Sequence, residues 1–278
     1  MKILVTGANS YIGKSFISFM RNYQGYKVDS VSMQNGEWKI MDFSKYDVVL
    51  HTAGIVHKKV KENDAYLYFL VNRDLAMEVA QKAKNAGIKQ FIYLSSMSVY
   101  GIETGVITKD TIPVPKSAYG KSKLEAEYKL NELNCNEFKV CILRPPMVYG
   151  KDCKGNFQSM VKYVRKLPIF PKINNRRSMI YIDNLSSFEK LAIDKNLSGI
   201  YFPQNDEYVS TENMAMLIAK KINKHIYTSR LFGGAIFLLR PFVGILKKAF
   251  GDLIYSNTED FNFSYCRVNF EESIDRSI

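Results

Sequence analysis

Lys2-Ile3-Leu4-Val5-Thr6-Gly7-Ala8-Asn9-Ser10-Tyr11-Ile12-Gly13 opens the chain with a buried-type apolar run, a glycine turn and the start of a helical pattern carried on by Phe16, Phe19 and Met20. Strand, turn and helix in that order are the repeating unit of a doubly wound sheet. Gly7 permits a tight turn and Gly13 allows close helix packing. The N–H groups of the segment Asn9, Ser10, Tyr11 and Ile12 face outward from a helix start, where a pyrophosphate is held. Two glycines also occur in ordinary strand-to-helix turns, and the middle position, where a glycine would bring backbone nearest to phosphate, is Ser10.

Outward from this turn the alternation continues. Strands are expected at 28–33, as a short piece at 38–41, and at 48–50, where Val48-Val49-Leu50 is a continuous apolar run. A long helix at 66–85 stops at Ala86-Gly87, a strand follows at 90–94, a helix at 117–133 and a strand at 139–143. This predicts an α/β fold: a doubly wound parallel Rossmann sheet over 1–150, followed by a smaller substrate lobe over 151–278. Two further strands in that lobe, at 178–182 and 199–202, would return to the main sheet. The second strand ends in Val31-Ser32-Met33 rather than in an acidic residue. Ser32 can hydrogen-bond a ribose without repelling a 2′-phosphate, so NAD and NADP both stay open. Asp42 is either an acceptor for the adenine amino group or a solvated loop carboxylate. Thr52-Ala53-Gly54 is either a close approach to dinucleotide or a simple turn.

The totals exclude more than they select. With 278 residues, 46% hydrophobic and 24% charged, the chain can bury a large core and has the composition of a folded soluble protein. Its formal charge of +12 attracts anions, but no run of five basic residues occurs. Nucleic acid is therefore not an expected partner, and a diphosphate ligand suffices. Cys135, Cys141, Cys153 and Cys266 have no paired spacing and lie far in sequence from the histidines, so no metal site is expected. No signal-like segment precedes the first strand, which points to the cytoplasm. The apolar segment 231–246 is interrupted by Arg240-Pro241 and is shorter than the ~20 residues of a transmembrane helix. It reads as a buried helix or, alternatively, as a peripheral membrane contact.

Tyr119 and Lys123 are four apart on the expected helix and share a face. An ammonium beside a phenol favours phenolate, as a base working near neutral pH requires. Ser95-Ser96-Met97-Ser98 and Leu143-Arg144-Pro145 each leave a strand at the rim where this face should lie.

In Thr6-Gly7…Gly13, Ser95-Ser96-x-x-Val99-Tyr100-Gly101, Tyr119-Gly120-x-x-Lys123 and Leu143-Arg144-Pro145-x-x-Val148-Tyr149-Gly150, the chain resembles the extended short-chain dehydrogenase/reductase family, in its nucleotide-sugar epimerase and dehydratase branch. The resemblance implies Tyr119 as general acid/base and Lys123 as the group that lowers its pKa and holds the nicotinamide ribose. It implies Ser96 as a hydrogen-bond partner of the substrate oxygen, with Ser98 beside it. Asn72 and Pro145 would support the cofactor side, and Asn156 and Arg177 would contact a UDP- or dTDP-sugar diphosphate. A homodimer is usual in the family. The related dehydratases carry Asp-Glu directly after the active-site hydroxyl residue, and here those positions are Met97-Ser98. The expected reaction is thus 4-epimerisation through transient oxidation, with an NAD(P)H-dependent 4-ketoreductase as the alternative and a non-catalytic dinucleotide sensor as a third reading.

Overall fold

A computed structural model describes residues 1–56, 65–256 and 264–278. In chain order the strands are β1 (Lys2–Thr6), β2 (Lys27–Val31), β3 (Val48–His51), β4 (Gln90–Leu94), β5 (Gly105–Ile107), β6 (Lys139–Leu143), β7 (Met147–Tyr149), β8 (Ile169–Pro171), β9 (Met179–Tyr181), β10 (Gly199–Tyr201), β11 (Tyr227–Ser229) and β12 (Leu253–Tyr255). Six of them pair in parallel in the order β10-β6-β4-β3-β1-β2. Ile3, Leu4 and Val5 are fully buried, as are Phe91, Ile92 and Tyr93. Such continuous apolar runs suit strands covered on both faces, which is the situation of a parallel sheet.

The first helices are α1 (Tyr11–Met20), the four-residue α2 (Glu37–Ile40), α3 (Tyr66–Phe69), α4 (Leu75–Asn85) and α5 (Ala118–Glu132). Helix α4 buries Ala76, Val79, Ala80 and Ala83, a stripe at helical spacing, against a core that includes Phe91, Tyr93, Leu130 and Phe138. Three expectations are corrected. The piece at 38–41 is helical, because Gly36 turns the chain at φ +75° and Trp38 is buried from the helical turn that follows. Strand β2 stops at Val31, so Ser32 and Met33 already belong to the loop. The helix at 66–85 is broken by a π-helical turn, Leu70–Asp74.

The chain divides into two compact units, the first comprising Met1–Gly101, Pro113–Pro145 and Leu185–Pro203, and the second Ile102–Ile112, Pro146–Asn184 and Gln204–Ile278. The first contains the six-stranded sheet. The second contains the parallel pairs β5–β12, β7–β9 and β8–β11, with α6 (Asn156–Lys166), the start of α7 (Ile182–Asp194), α8 (Thr211–Lys221), α9 (Arg230–Leu239), α10 (Gly244–Phe250) and α11 (Phe270–Ser277). The strand expected at 199–202 does join the main sheet, as β10 beside β6. The one expected at 178–182 pairs with β7 instead. Tyr149 organises the second unit's core: its hydroxyl meets Ser273 Oγ at 2.5 Å and accepts from Asn205 Nδ2 at 3.1 Å, while its ring packs on Phe157, Tyr181 and Phe270.

Candidate active site

In the six-stranded sheet the chain runs from β1 outward to β2 and then crosses to β3 on the other side of β1. The reversal of strand order falls between β1 and β3, and ligands of open α/β sheets bind outside the carboxyl ends of strands at such a point. The turn after β1 and the turn after β3 meet there. Gly7 has φ +107°, and a Cβ on it would lie 2.6 Å from the Ala53 nitrogen. A Cβ on Gly13 would lie 2.7 Å from Thr52 Oγ1. Both glycines are therefore demanded by the contact of the two turns. Ser10 caps α1: its Oγ accepts from the Gly13 N–H at 2.9 Å and shares a hydrogen bond with Thr52 Oγ1 at 2.7 Å. The serine that replaces a family glycine thus ties the helix start to the loop after β3. Tyr11 and Ile12 form the first turn of α1, the end of a helix at which backbone N–H groups can bind an anion.

The adenosine-side residues are less committed. Ser32 is half-buried, and its Oγ accepts from the Gln34 N–H at 3.3 Å. Asn9 is exposed in the first turn. Asp42 is exposed and already takes hydrogen bonds from the N–H and the hydroxyl of Ser44, at 2.9 and 2.7 Å, which hold its carboxyl below the usual range.

Helix α5 carries Tyr119 and Lys123. Ser117 caps it, accepting from the Gly120 N–H at 3.1 Å. Gly120 presses the helix onto the loop after β4 so closely that a Cβ there would lie 2.6 Å from the Ser98 carbonyl oxygen. That approach brings the Tyr119 hydroxyl near Ser96, which acts to lower its pKa. Ser96 Oγ also accepts from the Ser98 N–H at 3.1 Å and donates to Ser98 Oγ at 3.2 Å. Tyr68 stands edge-on to the Tyr119 ring, 6.1 Å between centroids.

The Lys123 amine does not reach for the phenol. It donates to the Leu94 carbonyl at 2.6 Å and sits 4.5 Å from the centre of the Tyr93 ring. Burial lowers its pKa to about 7, against an opposing pull from Glu127. Burial pushes Tyr119 up to about 12, opposed by Ser96. In this arrangement the phenol's shift comes from burial, Ser96 and Tyr68 rather than from Lys123. Its amine is anchored on the last carbonyl of β4, and desolvation penalises both charged forms.

Of the groups that hold these three in place, the sequence pointed to Asn72, Gly54 and Pro145 and not to Glu127, Tyr93 or His51. Asn72, fully buried in the π turn, accepts from the Ile55 N–H at 2.9 Å and donates to the Ile55 carbonyl and to Ser122 Oγ, each at 3.1 Å. The wider turn frees the Asn72 carbonyl for the Tyr93 hydroxyl at 2.7 Å. Gly54 lies against this bridge: a Cβ on it would be 3.0 Å from Asn72 Oδ1 and 3.4 Å from Lys123 Nζ. One turn beyond Lys123, Glu127 forms a buried ion pair with Arg144 (2.5 Å) and also accepts from Ser95. Arg144 donates to the Tyr100 hydroxyl at 2.8 Å, and the Pro145 carbonyl accepts from the Met97 N–H at 3.0 Å. These bonds join the loop after β4 to the loop after β6. His51 is buried with Nδ1 2.8 Å from Thr6 Oγ1, and burial, then Lys123, lowers its pKa to about 3, so it is neutral. The signal for the Glu127 contact lay at i, i+4 from Lys123; the Asn72 bridge had no local signal.

The two residues expected at the diphosphate belong to the second unit. Asn156 is exposed at the first position of α6. Arg177 is half-buried, donates through Nη1 to the Gly251 carbonyl at 2.9 Å, and exchanges backbone hydrogen bonds with Val209.

Residues 3–201 match the model of the NAD dependent epimerase/dehydratase family. The UDP-glucose 4-epimerase of Vibrio cholerae is 29% identical over 266 residues, covering 83% of this chain and 81% of that protein. The N-acetyl-alpha-D-glucosaminyl-diphospho-ditrans,octacis-undecaprenol 4-epimerase of Escherichia coli O157:H7 is 29% identical over 185 residues, covering 62% of this chain and 56% of that protein. Among solved structures, a UDP-glucuronic acid 4-epimerase from Bacillus cereus in complex with NAD superposes with a TM-score of 0.76 at 20% identity, over 100% of this chain and 97% of that one. That likeness is one of fold.

Proposed function

The chain belongs to the NAD dependent epimerase/dehydratase family, and on that premise we propose that it is a nucleotide-sugar 4-epimerase acting by transient oxidation at C4. The observation that carries the proposal is the placing of the Ser96 and Tyr119 hydroxyls together at the carboxyl rim of the sheet, near enough for Ser96 to pull the phenol's pKa down, with Met97 and Ser98 where the related dehydratases place an acid pair. Epimerisation through a ketone needs one group that takes and returns the hydroxyl proton. Loss of water needs more, and Met97 is buried and apolar.

The residues at the β1–β3 reversal suit a dinucleotide. The first-turn N–H groups of Tyr11 and Ile12 would hold the pyrophosphate, Thr52, Ala53 and Gly54 would let backbone approach it, and the bare Gly54 keeps a side chain off the buried Lys123 amine beside the Asn72 bridge. When bound, NAD or NADP supplies a reversible hydride acceptor. Ser96 Oγ holds the sugar's 4-oxygen, and Tyr119 Oη carries the proton to and from it. With its pKa pushed up to about 12 the phenol is protonated in this arrangement, so it must give up that proton before it can take the one on the C4 hydroxyl. Lys123, near 7, is divided between its two protonation states at neutral pH and can balance charge next to the site as that proton moves. Asn156 and Arg177 would engage the diphosphate of the sugar nucleotide.

Purified protein incubated with NAD⁺ and a panel of UDP- and dTDP-sugars should interconvert a pair of 4-epimers without net change in cofactor, and Tyr119→Phe should lower kcat by about 10²-fold or more. Net consumption of NADPH with a 4-ketosugar would establish the reductase in its place. Unchanged turnover in Tyr119→Phe would remove Tyr119 from the mechanism.

A further inference from the structure

The second unit carries an apolar face that its own core does not cover. In α9, Gly233 and Ile236 are buried, and a Cβ on Gly233 would lie 2.2 Å from the Lys172 carbonyl oxygen, so this side is pressed onto the chain beside β8. Leu231, Ala235 and Leu238 recur at i, i+4 and i+7 on the opposite side. Leu231 is 90% exposed, Leu238 72% and Phe242, just past the helix, 86%. Phe237 and Leu239 are exposed beside them. Isolated exposed leucines are common, but a contiguous stripe of this size marks an interaction surface.

Along the chain the segment that carries the stripe has charge of one sign, although Lys220, Lys221 and Lys248 pair with Glu271, Asp275 and Glu103 from other segments. Between Glu212 and Asp252 the chain has no acidic residue and has seven basic ones: Lys220, Lys221, Lys224, Arg230, Arg240, Lys247 and Lys248. Arg230 and Arg240 bracket the apolar stripe, and Arg240 stacks on Phe237 at 4.3 Å. Beside α9 opens a cavity of about 450 Å³ lined by Lys172, Gly233, Gly234, Phe237, Arg240 and Asp252, with the two cations outnumbering the one carboxylate. Of the basic residues after α9, Lys248 pairs with Glu103 at 3.2 Å. No helix among the described residues is long and apolar enough to cross a membrane.

We propose that residues 230–248 dock the protein on an anionic phospholipid surface, with Leu231, Leu238 and Phe242 entering the acyl boundary and Arg230 and Arg240 meeting lipid phosphates. An apolar stripe with basic flanks is the composition of an interfacial helix, and its binding combines buried apolar area with attraction to acidic lipid. A second copy of the chain fits the same face less well. A two-fold contact would set the arginines that bracket the stripe close to their own counterparts, with no acidic residue in the segment to separate them.

The test is co-sedimentation of the intact protein with vesicles of phosphatidylcholine alone and with 30% phosphatidylglycerol (about one acidic lipid in three), together with sedimentation velocity over a range of protein concentrations. Binding to the acidic vesicles only, weakened by salt and lost in Leu238→Glu/Phe242→Glu, is the expected result. Arg240→Gln should lower the vesicle partition constant about fivefold, the value of one basic residue near an acidic surface. Both variants should keep the wild-type circular dichroism and the wild-type turnover in vesicle-free solution, so that failure of docking and failure of the proposed reaction are told apart. Absence of binding to the acidic vesicles overturns the proposal. So does equal binding to neutral vesicles, or a concentration-dependent dimer that Leu238→Glu/Phe242→Glu dissolves, which would assign the face to self-association.

Discussion

Replacing Lys123 by Met should stabilise the protein at acidic pH and destabilise it at alkaline pH. The lysine is buried and its pKa falls from an ordinary 10.5 to about 7 in the fold. Between those values the unfolded chain holds a proton that the folded protein has released. Wild-type stability from this group therefore climbs as pH rises from about 7 toward 10.5, and below about 7 the full cost of burying the charge is in force. At about 1.4 kcal/mol per pH unit that cost is at most ~5 kcal/mol. Methionine is a near-isosteric apolar chain and escapes it, but leaves the Leu94 carbonyl without the amine's hydrogen bond, a loss of about 1–3 kcal/mol. The net change should be a gain of about 2–4 kcal/mol at pH 6, a crossing between pH 7 and 10, and a loss beyond it. Equilibrium urea unfolding of both proteins from pH 6 to pH 10 measures this directly. Parallel stability profiles across that range would refute the assignment of a charge-penalised amine at this site. Turnover by the variant should fall by about 10²-fold or more irrespective of its stability, because it removes the amine proposed to balance charge as the Tyr119 proton moves.

Asn72→Ala should destabilise the fold by about 2–4 kcal/mol in chemical denaturation, because it strips partners from both backbone groups of Ile55 and from Ser122 at once. Glu127→Leu alone should cost about 3–5 kcal/mol by leaving Arg144 buried and uncompensated. Adding Arg144→Met should recover most of that loss in a double-mutant cycle, and equal losses in the single and double variants would show that the pair is not coupled.

The frame of the fold was legible because it rests on local signals. The apolar run before Thr6-Gly7, the helical repeat after it and the alternation up to β6 each depend on residues adjacent in sequence, and all recur in the sheet order. The errors fall where a distant contact decides. The residues at 38–41 alternate like a strand, yet Trp38 finds its burial from a helical turn once Gly36 has reversed the chain. The segment 178–182 has the character of a sheet strand, but its partner is β7 and not the main sheet.

The site divides in the same way. Tyr119 and Lys123 were found because four residues of helix put two side chains on one face, but where the amine points was not written in that spacing. It is set by the Leu94 carbonyl, 29 residues earlier, and by Glu127 held on Arg144. One local clue did exist. On α5 the buried positions include Ser122, Lys123 and Glu127, interleaved with Leu124, Ala126 and Leu130, so the helix turns polar and titratable groups into its own core. A helix built only for packing would carry apolar residues there. Such a breach of patterning is sustained only by partners that satisfy every buried group, and here each has one: Asn72 for Ser122, Leu94 for Lys123, Arg144 and Ser95 for Glu127. The cost of that network is what holds the Lys123 amine beside the Tyr119 helix turn at the end of β4, where a flexible lysine on an apolar helix face would have turned to water.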